Sequence, residues 1–217
     1  EPRITAMFSQ DERLLAAINA GENIHLTVAK EIFGDPNLTK TKNPREYFVG
    51  KKIDLGSTYG LTKYGLARQL NISEEEADKF LKQYFLRFRR VAQWMDGQRI
   101  NGLRLGYVRT AMGRRIWINP YSYQAGNNCI NGPIQGSAAE HTKLALVLNW
   151  RESNNRGLEF CVVGAIHDEH LSDIPKSKRI EKLTKDAWIE AGRRVIRDIP
   201  IKIDVKIGDN WGCKSEE

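Results

Sequence analysis

"LEFCVVGAIHDEHLSDIP", residues 158–175, is the stretch on which the fold turns. It is apolar up to Ile166, and then His167, Asp168, Glu169 and His170 follow one another. A short apolar run with β-branched residues, bounded by a polar cluster, reads as a buried strand; the whole stretch holds two short strands at most, with the acids at the tip. Everything before about residue 105 has helical spacing instead, so a helical half precedes a mixed half with a small antiparallel sheet. That order is an α+β arrangement.

Outward from this stretch, Leu14, Leu15 and Ile18, then Ile24, Val28 and Ile32, keep helical spacing, punctuated by Gly21 and Gly34. Residues 34–44 form a polar loop between Pro36 and Pro44. A helix is expected from Arg45 to about Tyr59, although Gly50 and Gly56 each cost it roughly 1 kcal/mol against alanine and hint at close approach by something. A second loop ends at Ser73, where Ser73 and Glu76 make a capping box. It opens one long helix with the apolar face Ala77, Phe80, Leu81, Tyr84, Phe88, Val91 and Met95, and with Lys82, Arg87 and Arg90 on the other side. Residues 106–120 read as a hairpin around Gly113, 135–150 as a helix, 178–197 as a basic amphipathic helix, and "IKIDVKI" (201–207) as a strand with one wet face.

With 217 residues and 41% hydrophobic content, the chain can bury a core. Its net charge of +7 favours a polyanionic partner over a merely basic surface, the other reading of that charge. Cys129, Cys161 and Cys213 form no CxxC pair, which argues against a disulfide framework or zinc ribbon and fits a reducing interior. No apolar run nears the roughly 20 residues of a membrane span, and no signal-peptide pattern opens the chain, so a soluble, untargeted, cytoplasmic protein is expected. Because it begins Glu1-Pro2-Arg3 rather than with methionine, a cut or processed chain is expected as well.

Two stretches carry candidate chemistry. In "HDEH" the histidines could be metal ligands only if a helix put them on one face, whereas a strand sends neighbours to opposite faces. Two acids at a hairpin tip also suit a solvated turn, or part of a magnesium site, which takes one or two carboxylates plus phosphates. In "GKKIDLGSTYG" (50–60), a helix would put Tyr47, Lys51, Leu55 and Tyr59 on one face, with Gly56 leaving room for a flat group. That face suits a nucleotide, with phosphate on Lys51 and base over Leu55 and Gly56; a plain surface helix is the alternative.

Taken together and in order, these stretches resemble the family A DNA polymerases. "KKIDLGSTYG" is similar to the family's K-x-x-x-[FY]-G-x-x-Y-G and "GYVRTAMGRRIW" to G-Y-x-x-T-x-x-G-R-R. "NGPIQGSAAE" (131–140) matches N-x-x-x-Q-G-[TS]-A-A-[DE], "IHDE" (166–169) resembles V-H-D-E, and "IKIDVKIGDNW" resembles the C-terminal strand. The first acidic motif, D-[YF]-S-Q-I-E-x-R, has a tempting match in "MFSQDER" (7–13). However, "DERLLAAINAGENIH" (11–25) is similar to the helix that follows that motif, so "EPR" (1–3) is read as its end.

The resemblance implies helical fingers (about 11–105) packed on a palm (about 106–217), with thumb and exonuclease regions absent. It implies transfer of deoxynucleotides (dNTPs) to a primer 3′-hydroxyl on primer-template DNA, run by two Mg²⁺ ions held by Asp168 and by an aspartate upstream of residue 1. This chain alone is therefore expected to be inactive, completed by an N-terminal polymerase fragment with the thumb. Glu1, His25, Lys51, Leu55 and Tyr59 are implied at the incoming nucleotide. Tyr59, Asn131 and Gln135 would sense minor-groove geometry, Arg114 and Arg115 would contact DNA, His167 would lie beside the primer end, and Glu169 would be an auxiliary acid. Departures from the family pattern are Tyr47 where an arginine is expected, with Arg45 off the face, Leu55 for an aromatic, and Asn127 for an arginine. A non-catalytic nucleic-acid-binding relative and a metal nuclease using HDEH are the competing readings, and a phage-like source is suggested by "EPR" and "GKK".

Overall fold

The computed structural model describes residues 1–166, 169–175, 177–197 and 199–210. These divide into two compact units, Glu1–Gln135 and Gly136–Glu217.

The first unit begins with α1 (Pro2–Ser9), α2 (Glu12–Asn19) and α3 (Ile24–Phe33). Asp11 caps α2, its side chain accepting from the Arg13 and Leu14 amides at 3.1 and 3.4 Å. Such a carboxylate satisfies amides that the helix leaves unpaired, which accounts for Asp11 locally. α4 (Pro44–Ser57) packs along α3. The close approach hinted at by Gly50 is α3 itself: a Cβ there would lie 2.8 Å from the Ala29 Cβ, the Ala29 nitrogen and the His25 carbonyl oxygen.

The loop expected before Ser73 contains α5 (Lys63–Leu70), capped by Thr62 and burying Leu66 and Ala67; Gly65 and a single apolar turn obscure it in the sequence. Ser73 does cap α6 (Glu74–Arg87) through the Glu76 amide at 3.1 Å. The single long helix expected from there is two, because the chain leaves helical geometry at Phe88 (φ −104°, ψ 62°) and resumes as α7 (Arg89–Leu105). Phe88 is wholly buried, 5.0 Å from the Tyr84 ring, so the bend drives its side chain into the core while Tyr84, Val91 and Met95 keep the expected apolar face.

β1 (Tyr107–Arg109) and β2 (Arg115–Trp117) form the expected hairpin, with Val108 opposite Ile116. Its turn closes with the Gly113 amide donating to the Thr110 carbonyl at 2.9 Å, and Gly113 takes the left-handed φ of 87° that favours glycine. Val108 packs with Ile118, Ala125 and Cys129. The helix expected over 135–150 is longer at both ends, running as α8 from Ala125 to Asn155 through Pro133, which is tolerated at the loss of one backbone donor.

In the second unit, β3 (Cys161–Ile166) pairs antiparallel with β4 (Glu169–Asp173), and α9 (Lys178–Ile196) packs Trp188 and Ala191 with Ala145, Leu144 and Leu148. Two expectations fail here. The first strand is not buried, since Val163 is 63% exposed; a two-stranded ribbon pairs β3 along one edge and, among the described residues, nothing covers its faces fully. Residues 201–207 form no strand either. They do alternate in burial, with Ile201, Ile203 and Val205 half-buried and Lys202, Asp204 and Lys206 exposed. The wet face is as expected, but burial comes from packing on helices: Ile203 lies on the Trp188 cluster and Ile201 fills the space beside Gly192.

Candidate nucleotide and nucleic-acid site

α4 carries the densest group of candidate residues. His25, on α3, turns its Nδ1–H to the Asp54 carboxylate at 2.7 Å, and Asp54 is buried within α4. A carboxylate taken out of water needs such a partner, and the bond fixes the ring orientation. The Tyr47 ring meets His25 edge-on at 6.5 Å and lies under the Lys40 ammonium, and its hydroxyl accepts from Asn23 Nδ2 at 3.5 Å, so the residue standing in place of the expected arginine is packed rather than free. Lys51 and Arg45 are exposed, and Leu55 is half-buried. Asp54 was not singled out from the sequence; its one signal is an acid set between Ile53 and Leu55 in a helix.

The bare patch expected beside Gly56 is filled. A Cβ there would lie 2.6 Å from Leu61 Cδ2, so the glycine accommodates the chain's own return after α4. Gly60 is similar: its φ is 77°, and the Asn127 side chain occupies the space where a Cβ would stand. Asn127 also donates to Gln124 at 3.0 Å.

At the end of α4, three candidates far apart in sequence come together. The Tyr59 hydroxyl donates to Glu1 Oε1 at 2.5 Å and accepts from Gln135 Nε2 at 2.9 Å. Partial burial, and then the Glu1 carboxylate, hold the Tyr59 phenol above its usual range, against a smaller opposing effect of the Gln135 bond. Asn131 stands one helical turn before Gln135 on α8, and its buried Oδ1 has no hydrogen-bond partner among the described residues. Arg114 and Arg115 are exposed beside the hairpin turn.

In the second unit, His167 and Asp168 lie outside the described residues. Glu169 is exposed at the start of β4, opposite Ile166. His170 points the other way, its Nδ1 accepting from the Trp188 indole N–H at 3.1 Å, so it anchors α9. His141 donates from Nε2 to the Trp188 carbonyl at 3.0 Å, and burial holds both histidines below the usual imidazole range. Neither role is visible in the sequence, because Trp188 becomes a neighbour only in the fold. Among the described residues no group of three histidines, cysteines, aspartates or glutamates is placed to hold a metal, and no helix is long and apolar enough to cross a membrane. Glu169 offers the hard oxygen donor that magnesium prefers, in the small number that suits an ion keeping waters and substrate phosphates as further ligands.

Comparison with known proteins covers the same ground. Residues 1–213 match the pattern of DNA polymerase family A. DNA polymerase I of Caldicellulosiruptor bescii is 31% identical over 220 residues, covering 97% of this chain and 25% of that protein. DNA polymerase I of Mycobacterium tuberculosis is 34% identical, covering 97% and 24%. The chain thus spans about a quarter of the length of these relatives. A solved structure, the POL domain of Pol1 from M. smegmatis in complex with DNA primer-template and dNTP, superposes with a TM-score of 0.86 at 32% identity, over 97% of this chain and 38% of that one. With the family's pattern running through nearly all of its length, the chain belongs to DNA polymerase family A.

Proposed function

We propose that this chain contributes the fingers, about residues 11–105, and most of the palm, about 106–217, of an enzyme that synthesises DNA on a template. In that reaction a primer 3′-hydroxyl attacks the α-phosphate of a dNTP; the new P–O bond forms as the bond to the β-phosphate breaks, and pyrophosphate leaves. The observation that carries the reading is the junction of Glu1, Tyr59 and Gln135, residues implied at the nascent base pair and joined by two hydrogen bonds across 58 and 76 positions of sequence.

Each residue has a physical task in this scheme. Lys51 supplies an exposed cation for the triphosphate. His25 has its Nδ1 committed to Asp54, which leaves Nε2 on the outer side of the ring for a phosphate oxygen. The Glu1 carboxylate, steadied by Tyr59, would exclude a ribose 2′-hydroxyl. Gln135 and Asn131 present amide groups one helical turn apart, suited to the minor-groove acceptors shared by correct base pairs. Arg114 and Arg115 would hold backbone phosphates. Asp168, with Glu169 as an auxiliary, would hold Mg²⁺ together with an aspartate from upstream sequence, and His167 would stand by the primer end. The bound magnesium supplies charge neutralisation at the phosphates and a more acidic 3′-hydroxyl. The partners are primer-template DNA, dNTPs and the remaining part of the polymerase, in the cytoplasm of a bacterium or phage-infected cell.

Primer extension by the complete polymerase with Mg²⁺ tests the reading. Asp168→Ala is expected to abolish extension while leaving DNA binding in place; undiminished extension refutes the assignment.

A further inference from the structure

Besides Arg115, already proposed at backbone phosphates, the outer face of the β1–β2 hairpin carries Arg109 and aromatic side chains that the proposed reaction does not use. Antiparallel pairing sets Tyr107 opposite Trp117 and Arg109 opposite Arg115, and strand alternation puts all four on one face while Val108 and Ile116 go to the core side. The face is organised. Tyr107 and Trp117 meet edge-on at 5.6 Å, and the guanidinium groups of Arg115 and Arg109 lie 4.7 and 5.3 Å from the Tyr107 ring centre. The hairpin is also held firmly from behind, because a Cβ on Gly102 of α7 would meet Cys129 at 2.6 Å and Val108 at 2.8 Å.

Despite that order, Trp117 is 72% exposed, and Tyr121 and Tyr123 just beyond it are 96% and 93% exposed. Single exposed aromatics need no explanation, but a bare indole on the same face as two arginines, followed in sequence by two more exposed aromatics, does. Charge narrows the choice of partner. Residues 97–139 contain no aspartate or glutamate, yet carry Arg99, Arg104, Arg109, Arg114 and Arg115. A stretch so rich in arginine and without acids of its own favours a polyanion. A bare indole selects a flat partner whose own faces are free, and bases inside a duplex have none to spare.

We propose that this face binds single-stranded DNA, with Trp117 stacking on an unpaired base and Arg109 and Arg115 holding the flanking phosphates. The proposal rests on the polymerase reading for the kind of nucleic acid and goes beyond it in assigning the unpaired strand to this hairpin.

The test is fluorescence anisotropy of a labelled oligodeoxythymidylate titrated with the 217-residue chain. Trp117→Ala is expected to weaken binding about tenfold, the order of one lost base–aromatic stack, and Trp117→Phe to retain most of the affinity. An abasic oligonucleotide of the same length keeps the phosphates and lacks the bases, so wild type and Trp117→Ala should bind it equally. Arg109→Ala with Arg115→Ala should flatten the dependence of log affinity on log salt by about 0.7 per arginine. Unchanged affinity in Trp117→Ala, or an equal loss on the abasic strand, overturns the proposal. So does concentration-dependent self-association that Trp117→Ala abolishes, which would give the face to a second copy. Primer extension by the complete polymerase is scored separately; intact extension beside an unmoved single-strand affinity rejects this face and leaves the polymerase reading standing.

Discussion

Gly50→Ala probes the contact that brings His25 to α4. The added Cβ would stand 2.8 Å from three atoms, two of them backbone, the Ala29 nitrogen and the His25 carbonyl oxygen. Backbone cannot rotate aside, so α3 and α4 must separate. Overpacking of this kind costs up to about 3 kcal/mol, and the better helix propensity of alanine returns about 1, leaving a net loss of about 2 kcal/mol. For a chain of this size that lowers the melting temperature by about 4–8 °C. Gly97→Ala in α7 is the matched control, because nothing lies within 4 Å of its added Cβ; only the propensity gain of about 1 kcal/mol remains, and Tm should rise by about 2–4 °C. Thermal and urea melts followed by far-UV circular dichroism measure both. If Gly50→Ala is as stable as the wild type, or if both variants move in the same direction, the close-packing argument for α3 and α4 is wrong.

Three further outcomes follow from the site geometry. Asp54→Ala should cost about 1–3 kcal/mol by leaving the His25 Nδ1–H without its acceptor, and Asp54→Asn clearly less, since an amide oxygen can still accept; equal losses in urea titrations would remove the hydrogen bond from the account. Glu1→Gln should lower the pH at which Tyr59 ionises in an ultraviolet titration, because the carboxylate is the second contributor, after burial, to holding that phenol up; an unmoved transition would leave burial alone responsible. His141 and His170 are held below the usual imidazole range by burial, so the folded chain binds fewer protons than the unfolded one. Their contribution to stability is complete above the unfolded value of about 6.5 and is lost as pH falls through it toward the folded values. Thermal melts should therefore show a lower Tm at about pH 5 than at about pH 7.5, with a smaller difference in a His141→Gln, His170→Gln variant, and a flat profile would contradict this.

Much of the architecture is local and so was legible in the amino-acid order. Ser73 and the left-handed Gly34 mark helix ends through bonds that reach only a few residues, and the hairpin at Gly113 is set by its own turn. Family motifs spaced along the chain also exposed Glu1, Tyr59 and Gln135 as candidates, although their junction is a tertiary fact.

What periodicity could not determine is what each face meets. It could mark Phe88 as apolar but not that the helix breaks there, because the break goes with burial of the ring against neighbours such as Tyr84 in the core. It could mark residues 201–207 as alternating, but a strand needs a partner edge, and here the half-buried side rests on helices instead. Gly56 looked like an opening and holds Leu61, and Asp54, which periodicity does not single out, is the buried partner of His25. Spacing along a chain fixes direction and register, whereas burial and ion pairing depend on atoms brought close from elsewhere, and only the tertiary structure supplies those.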